Sequence, residues 1–135
     1  QGFLDPAASV QIGLRTDNQD TLGFNILDGP WIQRHGTDAA IEQIRKIVGD
    51  NKTYLTFDID CLDPAYAPGT GTPVCGGLTT SQAREIVKGL AGINIVGADL
   101  VEVAPPYDHA EITALAGATL ALDFLCLFAK APWRQ

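Results

Sequence analysis

The sequence contains no methionine, only two histidines and three cysteines, and nine Lys and Arg residues against sixteen acids. Each scarcity excludes something. A net charge of −7 with no clustered Lys or Arg leaves no basic face to track phosphates, so nucleic acid is not an expected partner. Cys61, Cys75 and Cys126 form no CxxC pair and no zinc-type spacing with histidine, which argues against a disulfide framework and for a reducing, cytoplasmic compartment. No basic stretch leading into an apolar one opens the chain, so no signal peptide is expected. The apolar run from Ala114 to Ala129 is interrupted by Asp123 and falls short of the roughly 18 residues of a spanning segment, which predicts a buried core helix and no membrane partner. A complete translation product ordinarily begins with methionine; its absence raises the expectation of a piece of a longer protein.

What is present is an ordinary globular composition, 46% apolar and 19% charged over 135 residues, enough for one domain with a core. Val10 to Arg15 reads as a short strand, Thr16 to Gly23 as a polar loop, Phe24 to Leu27 as a second strand, and Asp28-Gly-Pro30 as a turn. Ala40, Ile41, Ile44, Ile47 and Val48 recur at helical spacing, with Thr37 or Asp38 as the cap and Gly49 as the stop. Tyr54 to Asp58 is the next strand, followed by a long Pro/Gly-rich loop from Cys61 to Leu78, of a length that is usually functional. Thr79 and Gln82 make a capping box for a helix carrying Ala83, Ile86, Val87 and Leu90 on one face. Ile93 to Val103 reads as a strand buried on both sides, ended by Pro105-Pro106, and a last helix follows from about Ala110 to Ala129. Alternating strands and helices predict an α/β fold with a mainly parallel sheet.

In such folds ligands collect at the carboxyl ends of the strands. Asp58 and Asp60 stand at one strand end and Glu102 at another. Asp58 and Asp60 sit two residues apart at the end of their strand, so their side chains are expected to leave the same face about 6.6 Å apart along the backbone. Three acids at one edge suit a divalent cation and a cationic substrate. A bare Asp-x-Asp is not decisive, because a strand end with turn carboxylates has the same pattern. Phosphatases of the haloacid-dehalogenase type also use it, but they want Thr or Val where Leu62 stands; glycosyltransferases use it without needing the Pro/Gly loop. Asp63 reads as a turn carboxylate, Asp99 as structural or as a support behind the site acids, His109 as a cap or surface residue, His35 as exposed and Cys61 as packing.

Thr56-Phe-Asp-Ile-Asp-Cys-Leu-Asp-Pro64, Ala67-Pro-Gly-Thr-Gly-Thr-Pro73, Gly76-Gly-Leu-Thr79 and Asp99-Leu-Val-Glu-Val103 together resemble the ureohydrolase family of arginases and agmatinases. Val10-Gln-Ile-Gly-Leu-Arg-Thr16 and Pro105-Pro-Tyr-Asp-His-Ala-Glu-Ile-Thr113 resemble its agmatinase branch. The resemblance implies part of a three-layer α/β/α sandwich and, in the complete protein, a binuclear manganese centre that hydrolyses agmatine to putrescine and urea. It implies Asp58 as the bridging ligand at the catalytic centre, Asp60 as a ligand of one ion, and Glu102 as the acid that holds the guanidinium. A further linear guanidino compound such as 4-guanidinobutyrate stays open as substrate, and the complete enzyme is expected to be a homo-oligomer. The family also draws ligands from a Gly-Gly-Asp-His and an Asp-Ala-His-x-Asp segment, and neither occurs here. The expectation is therefore the C-terminal portion of a single ureohydrolase domain, spanning 1–135, inactive by itself.

Overall fold

The computed structural model describes residues 2–17 and 19–130. Two short strands come first, β1 (Val10–Ile12) and β2 (Asn25–Leu27), paired in parallel with Val10 opposite Asn25 and Ile12 opposite Leu27. β1 stops short of the expected Arg15 because Gly13 takes a left-handed φ of +76°, which ends the pleat. The Gly13 N–H still donates to Leu27 O at 2.8 Å, and the chain then turns toward the Cys61 and Leu78 side chains. The connecting polar loop lies between these strands as expected, apart from Asn18, which is outside the described residues.

The first helix, α1 (Gly29–Val48), starts earlier than the periodicity predicts. Asp28-Gly-Pro30 is no free turn. The Asp28 carboxylate accepts the Trp31 N–H at 2.6 Å and Pro30 sits in the first turn, where its missing N–H costs nothing. Gly36, at φ 84° and ψ 170°, then breaks the helix, and the segment that begins at Thr37 is the amphipathic one read from the spacing. Ala40, Ile44 and Val48 are buried along it, and Gly49 caps the end at φ 57°.

β3 (Thr53–Asp58) and β4 (Ile95–Val101) form a second parallel pair, with Thr56 opposite Asp99 and Asp58 opposite Val101. Between them in sequence runs α2 (Thr80–Gly89), opened by the expected capping box: Gln82 N–H donates to Thr79 Oγ1 at 3.1 Å and Thr79 N–H to Gln82 Oε1 at 3.0 Å. Ala83, Ile86, Val87 and Leu90 are buried as its pattern demands. The α/β class and the parallel pairing are as expected, although among the described residues hydrogen bonding divides the strands into two pairs.

The last helix, α3 (Ile112–Lys130), begins two residues later than expected because Ala110 and Glu111 hold left-handed backbones. With 19 residues and a mean hydropathy of 2.0 it is long and apolar enough to cross a membrane, a length that the apolar run from Ala114 to Ala129 does not reach by itself. One face nevertheless belongs to the core. Leu120, Phe124 and Leu127 are buried there, the Phe57 and Phe124 rings pack 6.3 Å apart, and Arg84 Nε pairs with Asp123 at 2.8 Å. The opposite face exposes Leu115, Leu122 and Leu125.

A further correction concerns β4. Its alternate residues Ala98 and Leu100 face the core, but Val101 is exposed and Tyr54 on the adjoining strand is 59% exposed, so the pair is covered on one face only. A continuous apolar run is the pattern of two-sided burial, and here only one of those sides has a cover among the described residues.

Thr113 joins three parts of this arrangement. Its fully buried hydroxyl accepts the Gly69 N–H at 2.8 Å and bonds the Asp108 carboxylate, tying the long loop to the start of α3. Thr113→Val keeps the shape but leaves the Gly69 N–H unpaired. A loss of about 1–3 kcal/mol is expected from urea unfolding of this chain, and an unchanged midpoint would contradict the assignment.

Candidate metal and guanidinium site

β3 delivers Asp58, and the chain then folds into a 3-10 turn over Ile59–Cys61. Asp60 therefore does not continue the pleat, and the same-face argument from strand geometry is replaced by a tighter one. Asp58 Oδ1 accepts the Asp60 N–H at 3.0 Å, so the turn itself brings the second aspartate back toward the first. Ile59 between them is fully buried and anchors the turn from below. The parallel register places Val101 beside Asp58, so Glu102 emerges next to the pair. Glu102 holds a left-handed φ of 67°, a conformation that costs a non-glycine residue about 1–2 kcal/mol and concentrates at functional sites.

The electrostatics register this proximity. The Asp58 carboxyl is pushed above its ordinary 3.8, first by burial and then by the charges of Asp60 and Glu102, while the Asp60 N–H pulls the other way. One cation answers the cluster: Arg15 Nη2 lies 3.0 Å from Asp60 Oδ1, and Thr72 Oγ1 donates to Asp60 Oδ2 at 2.8 Å. Neither contact is legible in the sequence, since Arg15 lies far from Asp60 along the chain. An open hollow of about 440 Å³, lined by Leu14, Arg15, Asp17, Asp28 and Pro30 among others, adjoins Arg15. Asp58, Asp60 and Glu102 do not line it.

The loop from Cys61 to Leu78 is a fixed wall. Leu78 N–H donates to Cys61 O and Asp63 N–H to Leu78 O, both at 2.9 Å, so its ends are zipped together. The approach needs glycine at Gly77, where a Cβ would lie 2.5 Å from the Asp63 nitrogen. Inside the loop the Asp63 carboxylate accepts the N–H groups of Ala65 at 3.0 Å and Gly76 at 2.8 Å, the turn role read for it. Further along, Ala104 N–H donates to Gly69 O at 2.8 Å, which fastens the loop to the segment after Glu102.

The remaining candidates have other partners or surroundings. Asp99 accepts the Tyr54 hydroxyl at 3.2 Å on the uncovered sheet face, a structural position. His109 is exposed, and Asp108 is the cap: its carboxylate accepts the N–H groups of His109, Thr113 and Ala114. His35 is exposed but stacks on Trp31 with centroids 4.3 Å apart. Burial pushes the Cys61 thiol up to about 12, which keeps it protonated and unreactive.

The donor set fits a hard divalent cation in part. Two neighbouring carboxylates, Asp58 with its proton affinity raised by burial and by the charge of Asp60, suit an oxygen-preferring ion, yet among the described residues no group of three His, Cys, Asp or Glu side chains could enclose one.

Comparison with known proteins agrees with this geometry. The model of the arginase family matches residues 1–127. The chain belongs to the arginase family. It is 58% identical over 127 residues to an agmatinase from Chromobacterium violaceum, a match covering 94% of this chain and 39% of that protein. To an agmatinase from Enterobacter sp. it is 59% identical over 93% of its own length and 41% of the relative's. Among solved structures it superposes on a hypothetical agmatinase from Burkholderia thailandensis with a TM-score of 0.92 and 61% identity, covering 94% of this chain and 40% of that one. Proclavaminate amidino hydrolase from Streptomyces clavuligerus gives a TM-score of 0.90 at 35% identity, covering 94% and 44%. The chain thus spans about 40% of the relatives it matches.

The loop wall yields a test by pH. Hydrogen bonds from Ala65 and then Gly76 hold the Asp63 carboxyl below its ordinary 3.8. Because the folded value is depressed, the stabilisation is present above about pH 4 and is lost as pH falls through the folded value. Thermal melts of the wild type and Asp63→Asn should differ at pH 6 and draw together as pH falls through the depressed folded value; a gap of constant size would show that the carboxylate charge is not what holds the loop.

Proposed function

We propose that this chain supplies one wall of a ureohydrolase active site whose complete form hydrolyses agmatine to putrescine and urea. The observation that carries the reading is the meeting of Asp58, Asp60 and Glu102 at one edge, in a chain of the arginase family with agmatinase relatives near 58% identity. Asp58 and Asp60 would be the ligands offered by this chain to a pair of manganese ions. Two such ions supply a nucleophilic water at neutral pH by lowering its pKa to about 7.

The chain's own groups then have separate tasks. Glu102, projecting from its left-handed backbone at the end of β4, accepts charge-assisted hydrogen bonds from the guanidinium N–H groups and fixes the carbon to be attacked. The zipped loop from Cys61 to Leu78 keeps Thr72 on Asp60 and limits the directions in which that carboxylate can point. Release of urea leaves the amine that the alkyl chain carried. The likeness to proclavaminate amidino hydrolase supports keeping another linear guanidino compound, such as 4-guanidinobutyrate, as the alternative.

A second reading concerns the isolated chain. Among the described residues, the absence of any group of three His, Cys, Asp or Glu that could hold an ion, a sheet face without a cover and the exposed Leu115, Leu122 and Leu125 favour a polypeptide that does not turn over by itself. Apolar faces left open in this way favour association.

Urea release from agmatine with added manganese tests both readings, on this chain and on a chain extended upstream through the two histidine-bearing family segments. Turnover is expected only in the extended form, with none detectable in its Asp58→Asn variant. Glu102→Gln should lower kcat/KM about 10- to 100-fold, the value of one charge-assisted hydrogen bond or slightly more. Turnover by the short chain would overturn the partial-site reading, and an inactive extended chain would overturn the choice of substrate.

A further inference from the structure

Among the described residues, Arg15 is the cation that pairs with the acids from outside their own segments. Its side chain is 9% exposed and that of Asp60 is 15% exposed, so the 3.0 Å contact between them is largely withdrawn from water. Its base is rigid. Gly13 redirects the chain at φ +76°, Gly13 O lies 3.4 Å from Arg15 Nη1, and Leu14 O accepts the Gly29 N–H at 2.9 Å at the start of α1. Packing is tight at that last contact, since a Cβ on Gly29 would stand 3.0 Å from Gly76 O. A guanidinium on a fixed backbone and a threonine hydroxyl on a zipped loop thus hold the two oxygens of one carboxylate. Arg15 Nε is buried with no partner of its own, so the side chain has given up a donor to reach this position.

We infer that Arg15 is a positioning residue for Asp60: it fixes the carboxylate in the orientation from which Asp60 receives a divalent cation. The inference rests on the metal reading above. The rival physical account is that the guanidinium merely takes the cation's place and competes with it. The two accounts demand opposite signs. A positioning residue strengthens metal binding, because an oriented ligand loses less freedom when it coordinates, and removing such an outer partner typically costs 10–100-fold in affinity. A competing cation weakens metal binding, and removing it tightens the site.

The deciding experiment is manganese titration of the upstream-extended chain, followed by the loss of the free-ion electron paramagnetic resonance signal, for wild type, Arg15→Gln and Arg15→Lys. Arg15→Gln should bind manganese about 10- to 100-fold more weakly, with Arg15→Lys between it and the wild type. In urea-release assays kcat should return at saturating manganese while the metal concentration for half-activation rises. Unchanged or tighter binding in Arg15→Gln overturns the inference. Should Arg15→Gln not fold, Arg15→Lys decides: it keeps the charge but not the fork, and wild-type affinity there overturns the proposal. Wild-type protein that binds no manganese would overturn the metal reading itself, and the inference with it, which separates the two failures.

Discussion

The register of β3 against β4 is the constraint from which the site follows. With Asp58 opposite Val101, the acids that follow the two strands, Asp60 through its turn and Glu102 through its left-handed φ, arrive at the same edge. Side chains in a strand alternate between faces, so a slip of one residue would turn Asp58 toward the layer that holds Phe57, Phe124 and Leu100. The core contacts therefore do more than stabilise: burying Leu55, Phe57, Ala98 and Leu100 selects the one register in which the acids meet.

Gathering acids has an electrostatic cost that the structure leaves partly unanswered. Asp58 responds by holding its proton more tightly, and Asp60 responds by pairing with Arg15. On the proposed reading the cluster accepts positive charge, from ions and from a guanidinium, between walls that internal hydrogen bonds already fix. That rigidity comes from backbone pairing at the ends of the long loop, from the Asp63 and Asp108 carboxylates that collect N–H groups, and from the Thr113 hydroxyl between loop and helix.

The surfaces away from the site are less complete than the core. Tyr54 and Val101 lie on an open sheet face, and α3 presents leucines on the side opposite its buried one. This explains why reading β4 as buried on both sides went astray. Hydrophobicity records that a residue is suited to burial; which of its neighbours covers it is decided elsewhere in the chain or in another chain.

Local chemistry was legible residue by residue. The helix from Thr37 with its stop at Gly49, the Thr79–Gln82 capping box, the Asp63 turn and the strand ending at Asp58 all depend on neighbours a few positions apart, and such short-range geometry is written in spacing. So was the family, through long motifs that name Asp58, Asp60 and Glu102 as candidates. The sequence was misleading where a local signal has two readings, as at Asp28-Gly-Pro30, a turn pattern that caps a helix, and at Asp60, whose alternation with Asp58 looked like a pleat and is a 3-10 turn. Only the tertiary structure set Arg15 on Asp60, placed Glu102 beside Asp58 and bound the loop to Thr113. Those contacts join residues distant in the chain, and the packing of β1, β3, β4 and α3 that brings them within reach has no image in any short stretch of sequence.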